Sequence, residues 1–349
     1  MNSVLVSGLR SAKDRKPFPV PPETPTFGFS GYAFLYPEAE FHHVHPRAYH
    51  RLTKRLDVDI VLFNPTSHMA PLLDMAVLAR ELRESGNAPV MVCLDGDICS
   101  HWMKYYPTIV AGFLDLFSAS DFVACRNDYA VGVTQALTKT PAFWLPEVST
   151  AVTDLSEAQR TGRPDKELVL APASLATTYN THRNVLGNHA VMIALREEFP
   201  DYRYVVLSRD DGLATNKELG NMTEVELLES IGLDAEVWTR FTHTDIYETF
   251  RNTKLMVNLD YETTMGHWLL DSAAFGVPAL ATEWTCGGRK LFPRTQAFPF
   301  DVGAAVDHGR RLLADPNAWE EESRKVKADS MFFHGDNVRD MLEEGIGVG

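Results

Sequence analysis

LMVNLDYETTMGHWLLDSAAFGVPALAT, from Leu255 to Thr282, decides how this chain is read. Leu255-Met-Val-Asn-Leu259 is an apolar run and predicts a buried parallel strand. Asp260 to Thr264 is a polar turn, and Gly266 sits where the chain tightens before a helix. His267 to Phe275 predicts that helix, with Trp268, Leu269, Leu270, Ala273 and Ala274 making most of its sides apolar. Gly276 and Pro278 stop it, and Pro278 to Thr282 predicts a second strand. The product is a strand–helix–strand unit whose hydroxyl-rich turn lies at a helix N-terminus. Free N–H groups and the helix dipole there favour an anion such as a phosphate. From the residues alone, an ordinary buried βαβ unit with a polar turn fits as well.

This unit resembles the donor-binding signature of retaining GT-B glycosyltransferases, glycosyltransferase family four above all. That signature is an acid, two small residues, glycine, a short apolar run, a second acid, small residues, then Gly and Pro. Here it reads Glu262, Thr263-Thr264-Met265, Gly266, His267 to Leu270, Asp271, and Ser272 to Gly276-Val-Pro278. The segment between Glu262 and Gly266 is one residue longer than the family's, and the second acid is Asp rather than Glu. The resemblance is good over residues 167–320 and architectural before that. It implies an α/β fold of GT-B type, two Rossmann-like domains facing a central cleft. The domains expected are an acceptor-side domain at 1–148 and a donor domain at 149–320. Terminal helices at 321–349 are expected to pack back on the first domain.

Length alone also suggests two domains. Composition is ordinary for a soluble globular chain, with 45% hydrophobic and 23% charged residues. The first residues lack the basic start of a signal peptide, and no window is apolar enough to span a bilayer. Cys93, Cys99, Cys125 and Cys286 show no CxxC spacing, so neither zinc nor disulfides are implied and a cytoplasmic location is expected. In a phage-encoded protein this would be the host cytoplasm.

Net charge is −14, unevenly spread: residues 1–56 hold eight Lys and Arg against four acids, leaving −18 for the rest. This balance argues against non-specific nucleic-acid binding and leaves room for one anionic partner at the N-terminal end. Arg47, Arg51 and Arg55 recur at helical spacing with Lys54 beside them, and no acid occurs from Phe41 to Leu56. A solvated helix face is one reading of that stripe. A phosphate-bearing acceptor is the other: DNA carrying a modified base, or an anionic lipid or glycan, with a peripheral membrane position in the lipid case. Gly28 and Gly31 lie in a glycine-containing loop of the kind GT-B enzymes carry toward the cleft, although a plain surface loop reads equally well.

The remaining candidates sit where predicted strands end, the edge at which open α/β sheets bind ligands. Asp95 and Asp97 follow the predicted strand 89–94, as catalytic carboxylates or as turn formers. Family-four members place a histidine there; this chain has His68 one strand earlier, so the family's histidine does not carry over. Arg183, in the loop before the helix predicted at 185–199, is the candidate cation for the donor diphosphate. Ser208 and Arg209 end the strand after it, and Arg240 ends the predicted strand begun by Val237 and Trp238, beside the loop that flanks the base in the family. Trp284 to Lys290 reads as a glycine-hinged loop.

The resemblance implies transfer of a sugar from a nucleotide diphosphate donor, a UDP-sugar, with retention and no prosthetic group. Asp271 is suited to ribose hydroxyls, Thr263 and Thr264 to the diphosphate, and Arg183 to the leaving charge. No DxD motif lies on a donor-domain loop, so metal independence is expected. A carboxylate base at Asp95 or Asp97 would instead support inversion. A sugar-nucleotide epimerase or hydrolase, and a non-catalytic nucleotide or glycan binder, are the competing functions.

Overall fold

The structure, a computed structural model, describes residues 3–7, 41–44, 49, 59–65, 69–86, 89–94, 107–162, 166–172, 184–207, 223–238, 243–261 and 265–347. The chain divides into two units, Met1–Thr150 with Phe333–Gly349, and Ala151–Phe332.

The first unit is built on strands β1 (Ser3–Ser7), β2 (Phe41–Val44), β3 (Ile60–Asn64), β4 (Val90–Leu94), β5 (Phe122–Cys125) and β6 (Ala142–Trp144). They form one parallel sheet in the order β2-β1-β3-β4-β5-β6. Strand β3 is apolar from Ile60 to Phe63, and the packing shows why. Successive side chains point to opposite faces, and both faces are covered. Val61 and Phe63 meet helices α1 (Met69–Ser85) and α2 (Pro107–Ala119) through Leu72, Met75, Phe113 and Leu116. Ile60 and Leu62 face the other way, among Met91, Ala124, Leu145, Val338 and Leu342. Helix α3 (Asp128–Thr138), capped by the Asn127 side chain, completes the run before β6.

The second unit contains β7 (Leu168–Pro172), α4 (Val185–Glu198), β8 (Arg203–Leu207), α5 (Glu224–Ser230), β9 (Glu236–Trp238), α6 (His243–Asn252), β10 (Thr253–Val257), α7 (His267–Ala274), β11 (Ala279–Leu280), α8 (Cys286–Leu291), α9 (Val302–Ala314) and α10 (Pro316–Asp329). Its sheet is parallel, in the order β11-β10-β7-β8-β9. Val169, Val206, Leu255, Val257 and Leu280 pack with Val191, Met192 and Leu195 of α4 and with Ala305 and Leu312 of α9. After α10 and a 3-10 turn, α11 (Gly335–Ile346) joins the first unit, where a Cβ on Gly345 would stand 2.5 Å from the Phe143 ring. Helix α10 belongs with the second unit, so only part of 321–349 lies with the first.

Three local expectations change. Strand β10 covers Thr253–Val257 rather than Leu255–Leu259, because its ladder with β7 starts at Thr253 and slips between Thr253 and Leu255. Pro278 to Thr282 keeps only Ala279–Leu280 as strand, with Ala281 in an isolated bridge to Gln296. Trp284 to Lys290 is no loop: Cys286–Leu291 is helical, its N-terminus capped by the Thr285 hydroxyl, which accepts from Gly288 N at 3.0 Å. The two glycines serve close packing there, since a Cβ on Gly288 would lie 2.1 Å from Thr282 O. Strand β9 spans Glu236–Trp238, and Arg240 lies outside the described residues.

Cys125 and Cys286 are buried free thiols. Among the described residues, no helix is long and apolar enough to cross a membrane.

Candidate functional site

Strands β7, β8, β9 and β10 run parallel, so the chain leaves all four at one edge of the second sheet. Arg183, Ser208, Arg209, Arg240, Glu262, Thr263 and Thr264 follow those strands in sequence and lie outside the described residues. So do Gly28, Gly31, Arg47, Arg51, Lys54, Arg55, His68, Asp95 and Asp97 of the first unit. Gly266 and Asp271 are described, together with the frame that holds the turn between them and β10.

That frame is polar and buried. Past Val257 the backbone leaves the ladder but stays tied: Asn258 N donates to Leu280 O at 2.9 Å, and Leu259 N donates to Asn188 Oδ1 of α4 at 2.8 Å. With its amide correctly oriented, Asn258 donates to the buried Asp260 carboxylate at 2.9 and 3.2 Å. Thr282 Oγ1 donates to Asp260 O at 2.7 Å. Helix α8 grips the other side, where Gly287 N donates to Met265 O at 2.9 Å. Buried polar atoms tied this way hold a loop in one conformation, because each lost bond leaves an unsatisfied group.

Gly266 opens α7 with φ 77°, a left-handed conformation that disfavours a side chain, and no side chain among the described residues caps the helix. Its carbonyl accepts from Leu269 N at 2.9 Å and Leu270 N at 3.2 Å. Gly276, at φ 64°, ends the helix as the sequence predicts: Val277 N reaches back to Ser272 O at 2.8 Å.

Asp271 lies on the same face of α7 as His267, one turn further on. Its carboxylate keeps partial exposure and has no hydrogen-bond or ion-pair partner among the described residues. Burial pushes its pKa up from 3.8 to about 7. The carboxyl is therefore set near neutrality by the protein alone, ready to accept hydrogen bonds from a ligand's hydroxyls.

Helix α4 is preceded by its N-cap, Asn184, immediately after Arg183. Asn184 is buried and left-handed, φ 44°, and its Nδ2 donates to Pro299 O. Next to Asn188, the imidazole of His189 is buried, and desolvation lowers its pKa to about 4, so it is neutral. Pro299 lies between two exposed rings, Phe298 and Phe300. They continue a chain of aromatic contacts from Tyr261 to Phe300 (5.7 Å), to Phe298 (5.9 Å), to Trp284 (5.8 Å). This ridge and the Asn188–Asn258–Asp260–Thr282 frame were not predicted. Their only sequence signal was polar and aromatic residues clustering just past strand ends.

In the first unit the corresponding edge carries a buried charge pair absent from the sequence reading. Arg126, directly after β5, places Nη1 3.5 Å from Glu147 Oε2, and both side chains are buried.

No protein-family model matches the chain. No curated protein matches it either. Solved structures do. An E. coli structure described as trehalose-6-phosphate bound with UDP-2-fluoro glucose is 10% identical, with TM-score 0.69 over 99% of each chain. Sucrose-phosphate synthase from Thermosynechococcus elongatus is 13% identical, TM-score 0.64, covering 100% of this chain and 97% of that one. The N-terminal domain of Candida albicans trehalose-6-phosphate phosphatase is 12% identical, TM-score 0.70, with the same coverage. At such identities the likeness speaks for the fold. The chain has the GT-B glycosyltransferase fold, an α/β architecture of two Rossmann-like domains with parallel sheets.

Proposed function

We propose that the chain is a glycosyltransferase that moves a sugar from a nucleotide diphosphate donor, a UDP-sugar, to a phosphate-bearing acceptor. One observation carries the donor half. In a GT-B fold, the glycine-led N-terminus of α7 is followed one turn later by a carboxylate without a hydrogen-bond or ion-pair partner among the described residues. Asp271 accepts from the ribose hydroxyls, and the N-terminal N–H groups of α7 with Thr263 and Thr264 hold the diphosphate. Arg183 offsets the charge that grows as the sugar–phosphate bond breaks, an interaction stronger in the transition state than in the ground state. Asp95, Asp97 and His68 are the candidates on the acceptor side, and retention without a metal ion is the expected course.

For the acceptor, the stripe Arg47, Arg51, Lys54 and Arg55 favours a phosphate group. All three of the solved structures named above carry a sugar phosphate in their descriptions, which favours a phosphosugar over duplex DNA or a lipid surface. The test is a thermal-shift panel of UDP-, ADP- and GDP-sugars, followed by assay of nucleotide release with and without hexose phosphates. A ligand that binds only the native state raises its melting temperature. Acceptor-dependent release of UDP is the expected result. No shift with any nucleotide sugar would overturn the proposal, and release without an acceptor would assign hydrolysis in its place.

A further inference from the structure

The amino edge of the second sheet carries a cluster of lysines that the donor reading does not use. Lys166 lies two residues before β7, and Lys254 is the second residue of the neighbouring β10. Both ammonium groups sit over the ring of Trp319 on α10, Lys254 Nζ at 4.2 Å and Lys166 Nζ at 4.9 Å from its centroid. The ring is fixed, because its Nε1 donates to Lys254 O at 2.7 Å. Lys327 lies two turns beyond Trp319 on the same face of α10.

Gly162 walls one side: a Cβ there would stand 2.7 Å from Lys166 Nζ. All three lysines are half-buried. Lys327 is paired with Glu157 at 2.6 Å, whereas no carboxylate among the described residues reaches Lys166 or Lys254. Glu320 attracts Lys254 only at longer range.

Two ammonium groups on one indole, neither with a carboxylate partner among the described residues, repel each other, and the ring's cation–π attraction offsets that only in part. Half-burying them with no counter-charge among the described residues costs stability in a chain that has acids to spare. An incoming anion removes both costs. A phosphate group matches two such ammoniums in charge, and lysine binds phosphate as a point charge. We propose that Lys166, Lys254 and Lys327 form a binding site for a small phosphate-bearing anion against Trp319. The site is separated from the donor edge by the length of the five-residue β7, roughly 16 Å. In support, burial together with Lys254 and Lys327 lowers the Lys166 pKa to about 8, as expected for an ammonium lacking its counter-ion.

The test uses the full chain and inorganic phosphate at constant ionic strength. Acetylation of each lysine by an N-hydroxysuccinimide ester is followed by mass spectrometry. Phosphate should slow labelling of Lys166 and Lys254 severalfold and leave the exposed Lys139 unchanged. Equal protection by chloride would mean diffuse screening and would overturn the site. Calorimetry of the Lys166→Met/Lys254→Met variant, its fold checked by circular dichroism, should show phosphate affinity reduced about tenfold or more. Wild-type affinity in that variant would also overturn it. Lys254→Gln serves if the double variant does not fold. Glucose-6-phosphate, run alongside, distinguishes a phosphate ester from free phosphate as the occupant.

Discussion

Asn188 on α4 holds the chain beyond β10: its Oδ1 accepts the buried N–H of Leu259 at 2.8 Å. The bond joins two segments 71 residues apart, next to the turn that precedes α7. Asn188→Leu keeps the volume and removes the acceptor. The orphaned N–H should lower stability by about 1–3 kcal/mol. Urea unfolding should show a lower midpoint with unchanged slope. An unchanged midpoint would mean that the turn does not depend on this bond.

Asp271 gives a pH dependence of definite sign. Its folded pKa, about 7, lies above the ordinary 3.8, so the native state holds the proton more tightly than the unfolded chain. Stability from this group is full below about pH 4 and is lost as pH rises toward 7. Asp271→Asn should therefore be more stable than wild type at pH 8, by up to about 4 kcal/mol before discounting for the partly exposed carboxylate. Binding should run oppositely. If ribose hydroxyls donate to the carboxylate, UDP affinity rises between pH 6 and pH 8 in wild type and stays flat in the variant. Calorimetry at the two pH values checks both statements.

Glycines separate by geometry. Gly288→Ala would drive a Cβ to 2.1 Å from the backbone oxygen of Thr282, which has nowhere to move, so this variant should fail to fold. Gly266→Ala meets the end of Leu269 at 3.1 Å and Thr285 Cβ at 3.6 Å, but carries φ 77°. It should cost about 1–2 kcal/mol. Gly303→Ala in α9 has nothing nearer than 3.6 Å and an ordinary φ, and should gain up to about 1 kcal/mol of helix propensity. Thermal melts rank the three, and any other order would contradict these contacts.

Val338 and Leu342 of α11 cover the face of the first sheet that carries Ile60 and Leu62. Leu342→Ala should cost about 2–5 kcal/mol. Hydrogen exchange should show β3 and β4 loosening while β7 and β8 keep their protection, because Leu342 belongs to the first unit. Uniform loosening of both sheets would show that the units unfold as one.

The sheets were legible because parallel strands are buried on both faces and read as unbroken apolar runs, as Ile60-Val-Leu-Phe63 and Leu168-Val-Leu-Ala171 do. The ends of α7 were legible because only glycine suits the positive φ at 266 and 276. Helix α8 was misread because paired glycines signal flexibility, whereas close approach to Thr282 and Met265 is what requires them here. The end of β10 was misplaced because Leu259 is as buried as the strand residues, although its N–H goes to a side chain. Asn188, Asp260 and Thr282 had no periodic signature: a buried polar group is recognisable only through its partner, and those partners come from distant parts of the chain.

The return of α11 to the first unit also bears on how the protein is made. Residues 1–150 leave the ribosome without Val338 and Leu342, which pack on the Ile60–Leu62 face and follow only after about 180 further residues. At about 5–20 residues per second, that is roughly 10–40 s in which an apolar sheet face waits for its last helix. The second unit, contiguous in sequence, finishes first. In the cell the order of completion is therefore inverted, and the N-terminal half is the one exposed to chaperone capture during synthesis.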